Sequence, residues 1–336
     1  MMKSIPKAAA VVMAAALALS GCTPAAQPSA TSTEPAAADP GQKIVIGFAQ
    51  QSLNAPYFVA MQKEAEKQAA EQGFELIFQN ANNDPVLQID QSETMVAQGV
   101  QALLVNTVTV GTEEAKMKEI AAEIPLIFID TDIPNVGVAA VKSDNVTIGK
   151  GAGLIMAERF EKGTTIKLAI LNGGPRDEIT GPQRRQGFLD GLEAGGVKYE
   201  IVAEADANYS QEPAVTGTET MLAAHPDIDV IYGYNDSMAL GALQALRTLG
   251  NDKVLIAGID GQKEALAEIQ KGGCTGQYVS TGLNSPSKAT AGGIEIALAL
   301  IKGEKQPSDI EPVTYTEAVG IGCNNIDQYY DPDSVF

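Results

Sequence analysis

Residues 230–260 read VIYGYNDSMALGALQALRTLGNDKVLIAGID. The opening VIYGY is an apolar run of the kind that fills a strand buried on both faces. Asn235 and Asp236 interrupt it, and Ser237–Leu249 then follows a helical pattern. Val254–Asp260 (VLIAGID) is a second apolar run. Strand, helix and strand at this spacing make one parallel crossover unit. The alternation extends both ways. Upstream, Ile44–Ala49 (IVIGFA), Glu75–Asn80 (ELIFQN), Ala102–Thr107 (ALLVNT) and Pro125–Asp130 (PLIFID) read as strands. Helices fill the gaps from Pro56 to Gly73, from about Pro85 to Gln98 and from about Thr112 to Glu123. A second series has strands at Lys167–Asn172 and Tyr199–Ala205, with helices at Asn145–Glu161, Pro182–Ala194 and Glu212–Ala224. A helix over Gln262–Lys271, a strand over Thr275–Ser280 and a helix over Ser285–Lys302 follow the quoted unit. The fold class is α/β, with two doubly wound parallel-sheet lobes in tandem.

Composition narrows the function. The chain has 336 residues, 23 Lys+Arg against 42 Asp+Glu, and a net charge of −19. That charge repels phosphate backbones, which argues against nucleic-acid binding. One histidine, His225, is too few for a histidine-built metal site or a catalytic triad; placed before Pro226, it reads as the end of a helix. Three cysteines are too few for a disulfide scaffold.

The N-terminus reads MMKSIPKAAAVVMAAALALSGC. Lys3 and Lys7 form a positive region, Ala8–Leu19 is an apolar stretch of secretory length, and Leu19-Ser20-Gly21-Cys22 ends it. This resembles a bacterial lipoprotein signal over residues 1–21, in which Cys22 receives lipid. Residues 22–42, rich in Ala, Pro, Ser and Thr, read as a disordered tether. The expected location is extracytoplasmic, at the membrane surface, with the lipid as the only membrane contact. In an exported chain the two remaining cysteines, Cys274 and Cys323, are expected to pair.

In open parallel sheets, ligands bind beyond the carboxyl ends of the strands. Asp130, Asn235, Asp236 and Asp260 sit there, and Asn54 follows the first strand. Each alone also fits a helix cap or turn; Asp130, Asn235 and Asp260 together at equivalent strand ends favour binding. Tyr57 and Phe58 stand at a helix start, where neighbours cannot share a face, so one is expected to pack in the core. Tyr209 lies in a loop after a strand, placed to stack on the C–H face of a sugar. Arg184 and Arg185 open a helix, where cations oppose the macrodipole; either a ligand, an interlobe contact or plain surface exposure accounts for them. Gly149-Lys-Gly-Ala-Gly153 lacks the strand and GK[ST] of a phosphate loop and reads as close helix packing.

Several segments in order resemble the ribose-binding-protein family of bacterial solute-binding proteins, a type I periplasmic-binding fold. They are SLNAPYF (52–58), FID (128–130), SDN (143–145), RRQGF (184–188), AHPD (224–227), NDSMALGAL (235–243), GIDG (258–261) and KGE (302–304). The resemblance covers about residues 43–330. It implies two lobes joined by a three-strand hinge, closing on a sugar or polyol and passing it to an ABC import permease. A sensing module presenting ligand to a chemoreceptor or kinase is the alternative. The resemblance implies a monomer that is not an enzyme, with neither cofactor nor metal. The expected lobes are 43–143 plus 281–310 and 144–280 plus 311–330, with crossings near Ser143–Asp144, Ser280–Thr281 and Pro307–Glu311. Position by position, it places Asn54, Tyr57 and Phe58 on the first-lobe rim, Asp130 and Thr131 at the sugar, and Ser143 at a hinge. Arg184, Tyr209, Asn235 and Asp260 come from the second lobe, and Ser280 from the hinge side. Pentose binders of the family usually carry Arg where Thr131 stands, Asn at Ala55 and an aromatic at Ile259. A hexose, deoxy sugar or polyol is therefore as well matched as ribose.

Overall fold

The computed structural model describes residues 43–175, 177 and 179–336. The signal segment, Cys22 and the tether lie outside the described residues.

In the first lobe, β1 (Val45–Gln50), α1 (Pro56–Gln72), β2 (Glu75–Asn80), α2 (Pro85–Ala97), β3 (Ala102–Val105), α3 (Val110–Glu123), β4 (Leu126–Ile129) and β5 (Ala139–Lys142) follow in chain order. The second lobe contains α4 (Asn145–Ala157), β6 (Thr165–Asn172), α5 (Thr180–Ala194), β7 (Lys198–Asp206), α6 (Gln211–Ala224), β8 (Val230–Gly233), α7 (Asp236–Thr248), β9 (Leu255–Asp260), α8 (Lys263–Gly272) and β10 (Tyr278–Leu283). The chain then adds α9 (Pro286–Ile301), β11 (Val313–Tyr315) and β12 (Gly320–Gly322).

Local chemistry sets several boundaries. Pro56, Pro85 and Pro286 occupy first-turn positions, where no N–H is needed. Asp84 and Ser285 accept first-turn N–H groups of α2 and α9. Gly73 ends α1 at φ +75°, a left-handed conformation that glycine adopts without steric cost.

The strands form two six-stranded sheets, ordered β11-β5-β4-β3-β1-β2 and β12-β10-β9-β8-β6-β7. The two windings are the same, except that β11 runs parallel to β5 and β12 antiparallel to β10. Strand β4 shows why the pattern buries itself. Ile127 and Ile129 face α1 and α9 on one side, and Leu126 and Phe128 face α2 and α3 on the other. In the second lobe, α4 and α5 cover one face of the sheet and α6, α7 and α8 the other.

Strand pairing corrects the expected lobe boundaries. The first crossing lies at Ser143–Asp144, between β5 in the first sheet and α4 on the second. The second falls after Leu283, because β10 pairs with β9 through that residue and with β12 through Gly282, so the expected boundary at 281 lies within a strand. The third runs between Tyr315 and Gly320, from β11 to β12, rather than near 307–311. The displaced second boundary has a local cause. Gly273–Thr275 forms a 3-10 turn, not the start of a strand, and β10 begins at Tyr278. Cys274 in that turn is bonded to Cys323 just after β12, with Cα atoms 5.1 Å apart. By the chain-entropy model, closing a loop of this length stabilises the fold by about 4 kcal/mol.

The Gly149–Gly153 run does pack helices closely. Gly149 and Gly153 of α4 lie against the backbone of α5, and Gly187 and Gly191 of α5 lie against the backbone of α4. A Cβ on Gly149 would stand 2.5 Å from the Arg184 carbonyl oxygen, and one on Gly187 would strike the Val146 carbonyl. The obstacles are backbone atoms and cannot rotate away. Gly187→Ala is therefore expected to force the two helices apart, at a cost of about 1–3 kcal/mol. Thermal denaturation should show a lowered Tm, and a wild-type Tm would refute the close-packing account.

Candidate functional site

The two strand ends that carry Asp130 and Asp260 share an unusual backbone. Asp130 has φ +66° and Asp260 φ +124°. Left-handed backbone at a non-glycine residue costs about 1–3 kcal/mol and clusters at binding sites. At Asp130 the Thr131 N–H donates to the Ile129 carbonyl (2.8 Å), closing a three-residue turn around the aspartate. Tyr209 is a third case, at φ +57°.

These residues join one polar network. The Tyr57 hydroxyl donates to Asp130 Oδ1 (2.8 Å), and its oxygen lies 3.1 Å from Asn284 Oδ1. Thr131 Oγ1 donates to Asp130 Oδ2 (3.2 Å). Asn284 Nδ2 donates to Asp260 Oδ1 (3.3 Å). Arg184, 4% exposed, spends Nε on Asn145 Oδ1 (2.9 Å) and Nη1 on the Tyr234 carbonyl (2.7 Å) and Asp260 Oδ1 (3.0 Å). Of its five N–H groups, those on Nη2 find no partner among the described residues. Ser143 Oγ donates to Asn284 Oδ1 (2.7 Å) and lies 2.8 Å from Thr316 Oγ1. One side chain from each crossing therefore meets at a single point beside the site.

Burial sets the charge states. It pushes the Asp260 carboxyl up to about 6, against the pull of the Arg184 charge and the Asn284 hydrogen bond. Burial alone would lower the Arg184 pKa, but Asp260, Tyr209 and Asp130 hold it above the usual arginine value. Burial, then the charge of Asp130, raises the Tyr57 phenol well above its ordinary value, which keeps it a donor. Tyr209 is raised chiefly by burial and donates to Asp177 Oδ2 (2.5 Å).

The other expected residues fall as follows. Phe58 is half-buried with its ring 5.6 Å from Tyr57, edge to face. Asn54 is exposed in the loop before α1. Asn235 caps α7 by accepting the Met238 N–H and donates to the Tyr209 carbonyl (3.2 Å), so it holds Tyr209 in place. The two arginines sit one turn inside α5, which begins at Thr180; Arg185 makes a surface pair with Glu204 while Arg184 enters the network. Ser280 is a correction: its hydroxyl is buried against the Ala152 carbonyl of α4 (2.9 Å). The hinge-side amide of this network is Asn284, four residues on, displaced by the same late start of β10.

Sequence reading passed over Asn106 and Gln50, and noted Asp236 only as a polar residue at a strand end. Asn106 Nδ2 donates to the Ile129 carbonyl (3.0 Å) and lies 3.5 Å from Asp130 Oδ2, and Gln50 Nε2 donates to Asn106 Oδ1 (3.2 Å). Both end apolar strands, the signal used for Asp130. Asp236 is fully buried and accepts from Tyr278 Oη (2.7 Å), Thr281 Oγ1 (2.9 Å) and the Gln262 N–H (2.8 Å). It thereby fixes the turn that follows Asp260. A shallow groove of about 610 Å³ bordered by Leu240, Leu243 and Arg247 lies elsewhere on the second lobe and has none of this convergent chemistry.

Residues 46–305 match the family described as periplasmic binding protein domain. The chain belongs to the periplasmic binding protein family. Within it, the ribose-binding-like resemblance holds. The ribose import binding protein RbsB of Bacillus subtilis is 34% identical over 235 residues, 68% of this chain and 73% of that protein. The xylitol-binding protein of Mycolicibacterium smegmatis is 30% identical over 259 residues, 75% of this chain and 71% of the relative. A solved ABC transporter periplasmic solute binding protein from Actinobacillus succinogenes, with bound D-allose, is 29% identical with a TM-score of 0.74, covering 85% of this chain and 100% of that one. These relatives are binding proteins, and the periplasmic binding protein described here has their type I fold. Among the described residues no helix is long and apolar enough to cross a membrane.

Asp236 yields a pH prediction. Burial, then the charge of Asp260, raises its carboxyl from 3.8 to about 8. Between those values the folded state holds a proton that the unfolded chain has released. Stability must therefore fall as pH rises through that window. Asp236→Asn removes the titration while keeping a neutral polar group. Urea denaturation from pH 5 to pH 8 should show a shallower decline in the variant than in the wild type. Equal slopes would contradict a neutral buried Asp236.

Proposed function

We propose that this protein binds a sugar or polyol between its lobes and delivers it to an ABC import permease. It would do so as a monomer outside the cytoplasmic membrane, held there by lipid on Cys22. The observation that supports this reading is the convergence of two strand-end carboxylates, Asp130 and Asp260, one from each sheet. Both have positive φ and both are linked through Asn284 and Tyr57. Carboxylates accept from sugar hydroxyls, the free end of Arg184 donates to a ring or hydroxyl oxygen, Phe58 and Tyr209 offer ring faces to C–H groups, and Tyr57, buried between Phe58 and Phe336, sets Asp130. Asn54 would lie at the rim, and Asn235 would act by holding Tyr209 in place. Every one of these groups suits a neutral, many-hydroxylated ligand.

The ligand class follows from the same residues. Thr131, Ala55 and Ile259 stand where the family's pentose binders carry larger donors or a ring, so a hexose, deoxy sugar or polyol suits the site as well as ribose. The relatives that bind ribose and xylitol, and the neighbour holding D-allose, define the range to screen.

Hydrogen bonds to a charged group contribute about 1.5–3 kcal/mol each. Against a micromolar affinity of about −8 kcal/mol, losing one carboxylate should weaken binding at least about tenfold. The experiment is a thermal-shift screen of D-ribose, D-allose, xylitol and related sugars, followed by calorimetry on Asp130→Ala and Asp260→Asn. Asparagine keeps the volume beside Arg184, and circular dichroism checks the fold. Unchanged affinity in both variants would move the site elsewhere, and no response to any sugar or polyol would reject the ligand class.

A further inference from the structure

The chain makes another connection between the lobes after the three backbone crossings. Beyond β12, Ile326 is buried in the second-lobe core, and Tyr329 and Tyr330 pack against that core. Tyr329 Oη donates to Glu317 (3.0 Å). Lys263 Nζ, at the first position of α8, donates to the Ser334 carbonyl (2.6 Å). Up to this point the segment is fastened to the second lobe. Two residues later it reaches the first. The Phe336 ring lies 5.5 Å from that of Tyr57 at an interplanar angle of 83°, an edge-to-face contact, and Phe336 packs on the first-lobe core. Within the segment, Ser334 Oγ donates to the Phe336 carbonyl (2.6 Å) and accepts from the Phe336 N–H (3.3 Å), which curls the backbone toward Tyr57.

The residue contacted decides what this means. Tyr57 is the phenol that donates to Asp130, and its other ring neighbour is Phe58. Phe336 therefore bears on the ring that sets the first-lobe carboxylate, from a segment held by the lobe that carries Asp260. Lys263 stands three residues beyond Asp260, so both ends of the strap lie next to site residues.

We propose that Ser334–Phe336 is a latch across the cleft, and that Phe336 is a positioning residue for Tyr57, holding the lobes in the ligand-competent arrangement. Opening the cleft must separate Phe336 from Tyr57 or Ser334 from Lys263. An edge-to-face pair is a modest attraction beyond its buried area, enough to slow opening without locking it. The contact forms with the lobes together, so it acts on ligand escape more than on ligand entry. The effect on sugar rests on the function proposed above; the docking of the strap does not.

The two parts are tested separately. The sequence contains no tryptophan, so Phe336→Trp installs a unique fluorophore. In ligand-free protein, where the lobes open and close, its acrylamide quenching should be weaker than that of free N-acetyltryptophanamide, and Lys263→Met should raise it. Quenching equal to the free compound would overturn the latch. In the second arm, dissociation and association rates are measured by stopped flow for D-ribose, D-allose and xylitol. Phe336→Ala should speed dissociation about 5–20-fold and leave association within about twofold, and Phe336→Tyr should restore the wild-type rate. An unchanged dissociation rate in Phe336→Ala would overturn the positioning role. If no sugar or polyol of the screen binds the wild type, the sugar reading fails while the quenching result still decides the latch.

Discussion

A single buried hydroxyl holds the architecture together. Ser143 Oγ sits on the first crossing, donates to Asn284 on the second and touches Thr316 on the third. Three chain segments between two sheets restrict their relative motion to bending and twisting about one axis. Tying them through one oxygen makes them move as a unit. The same Asn284 reaches Tyr57 and Asp260, so the three crossings and both candidate ligand carboxylates belong to one network. A change in how the lobes meet must be felt at the carboxylates, and a ligand that binds the carboxylates must be felt at the crossings.

The second lobe stores its chemistry in a buried ion pair. Arg184 and Asp260 are 4% and 5% exposed, and taking two charges out of water costs several kcal/mol per ion unless further hydrogen bonds compensate. Here Asn145, the Tyr234 carbonyl and Asn284 supply them. The glycine-lined crossing of α4 and α5 brings Asn145 close enough to Arg184 to do so. Close helix packing, which has no direct part in binding, is thus a condition for the arginine to point where it does. Asp236, held by Tyr278, Thr281 and the Gln262 N–H, plays the corresponding part for the turn after Asp260.

Much of this was legible in the residues. Long apolar runs such as IVIGFA and VLIAGID give the parallel strands, because strands buried on both faces need no alternation. Asp130 and Asp260 stood out as carboxylates at the ends of such runs. The strands that escaped notice, β5, β11 and β12, are three or four residues long, too short to show a period, and β11 is exposed throughout. The exchange of Ser280 for Asn284 has one cause: a 3-10 turn at Gly273–Thr275 delays β10, and a turn of that kind leaves no hydrophobic signature. Asn106 and Gln50 carried the right signal but without a charge to mark them. The contact between Phe336 and Tyr57 joins residues far apart in the chain and follows from no local pattern.

The central claim is that the lobes close as a hinged pair on a ligand held between Asp130 and Asp260. Small-angle X-ray scattering of the protein, alone and saturated with the sugar or polyol that stabilises it most, tests this directly. The account predicts a smaller radius of gyration in the bound state, because only the closed arrangement lets one ligand touch both carboxylates. Equal radii in both states, with binding confirmed by calorimetry on the same sample, would contradict it.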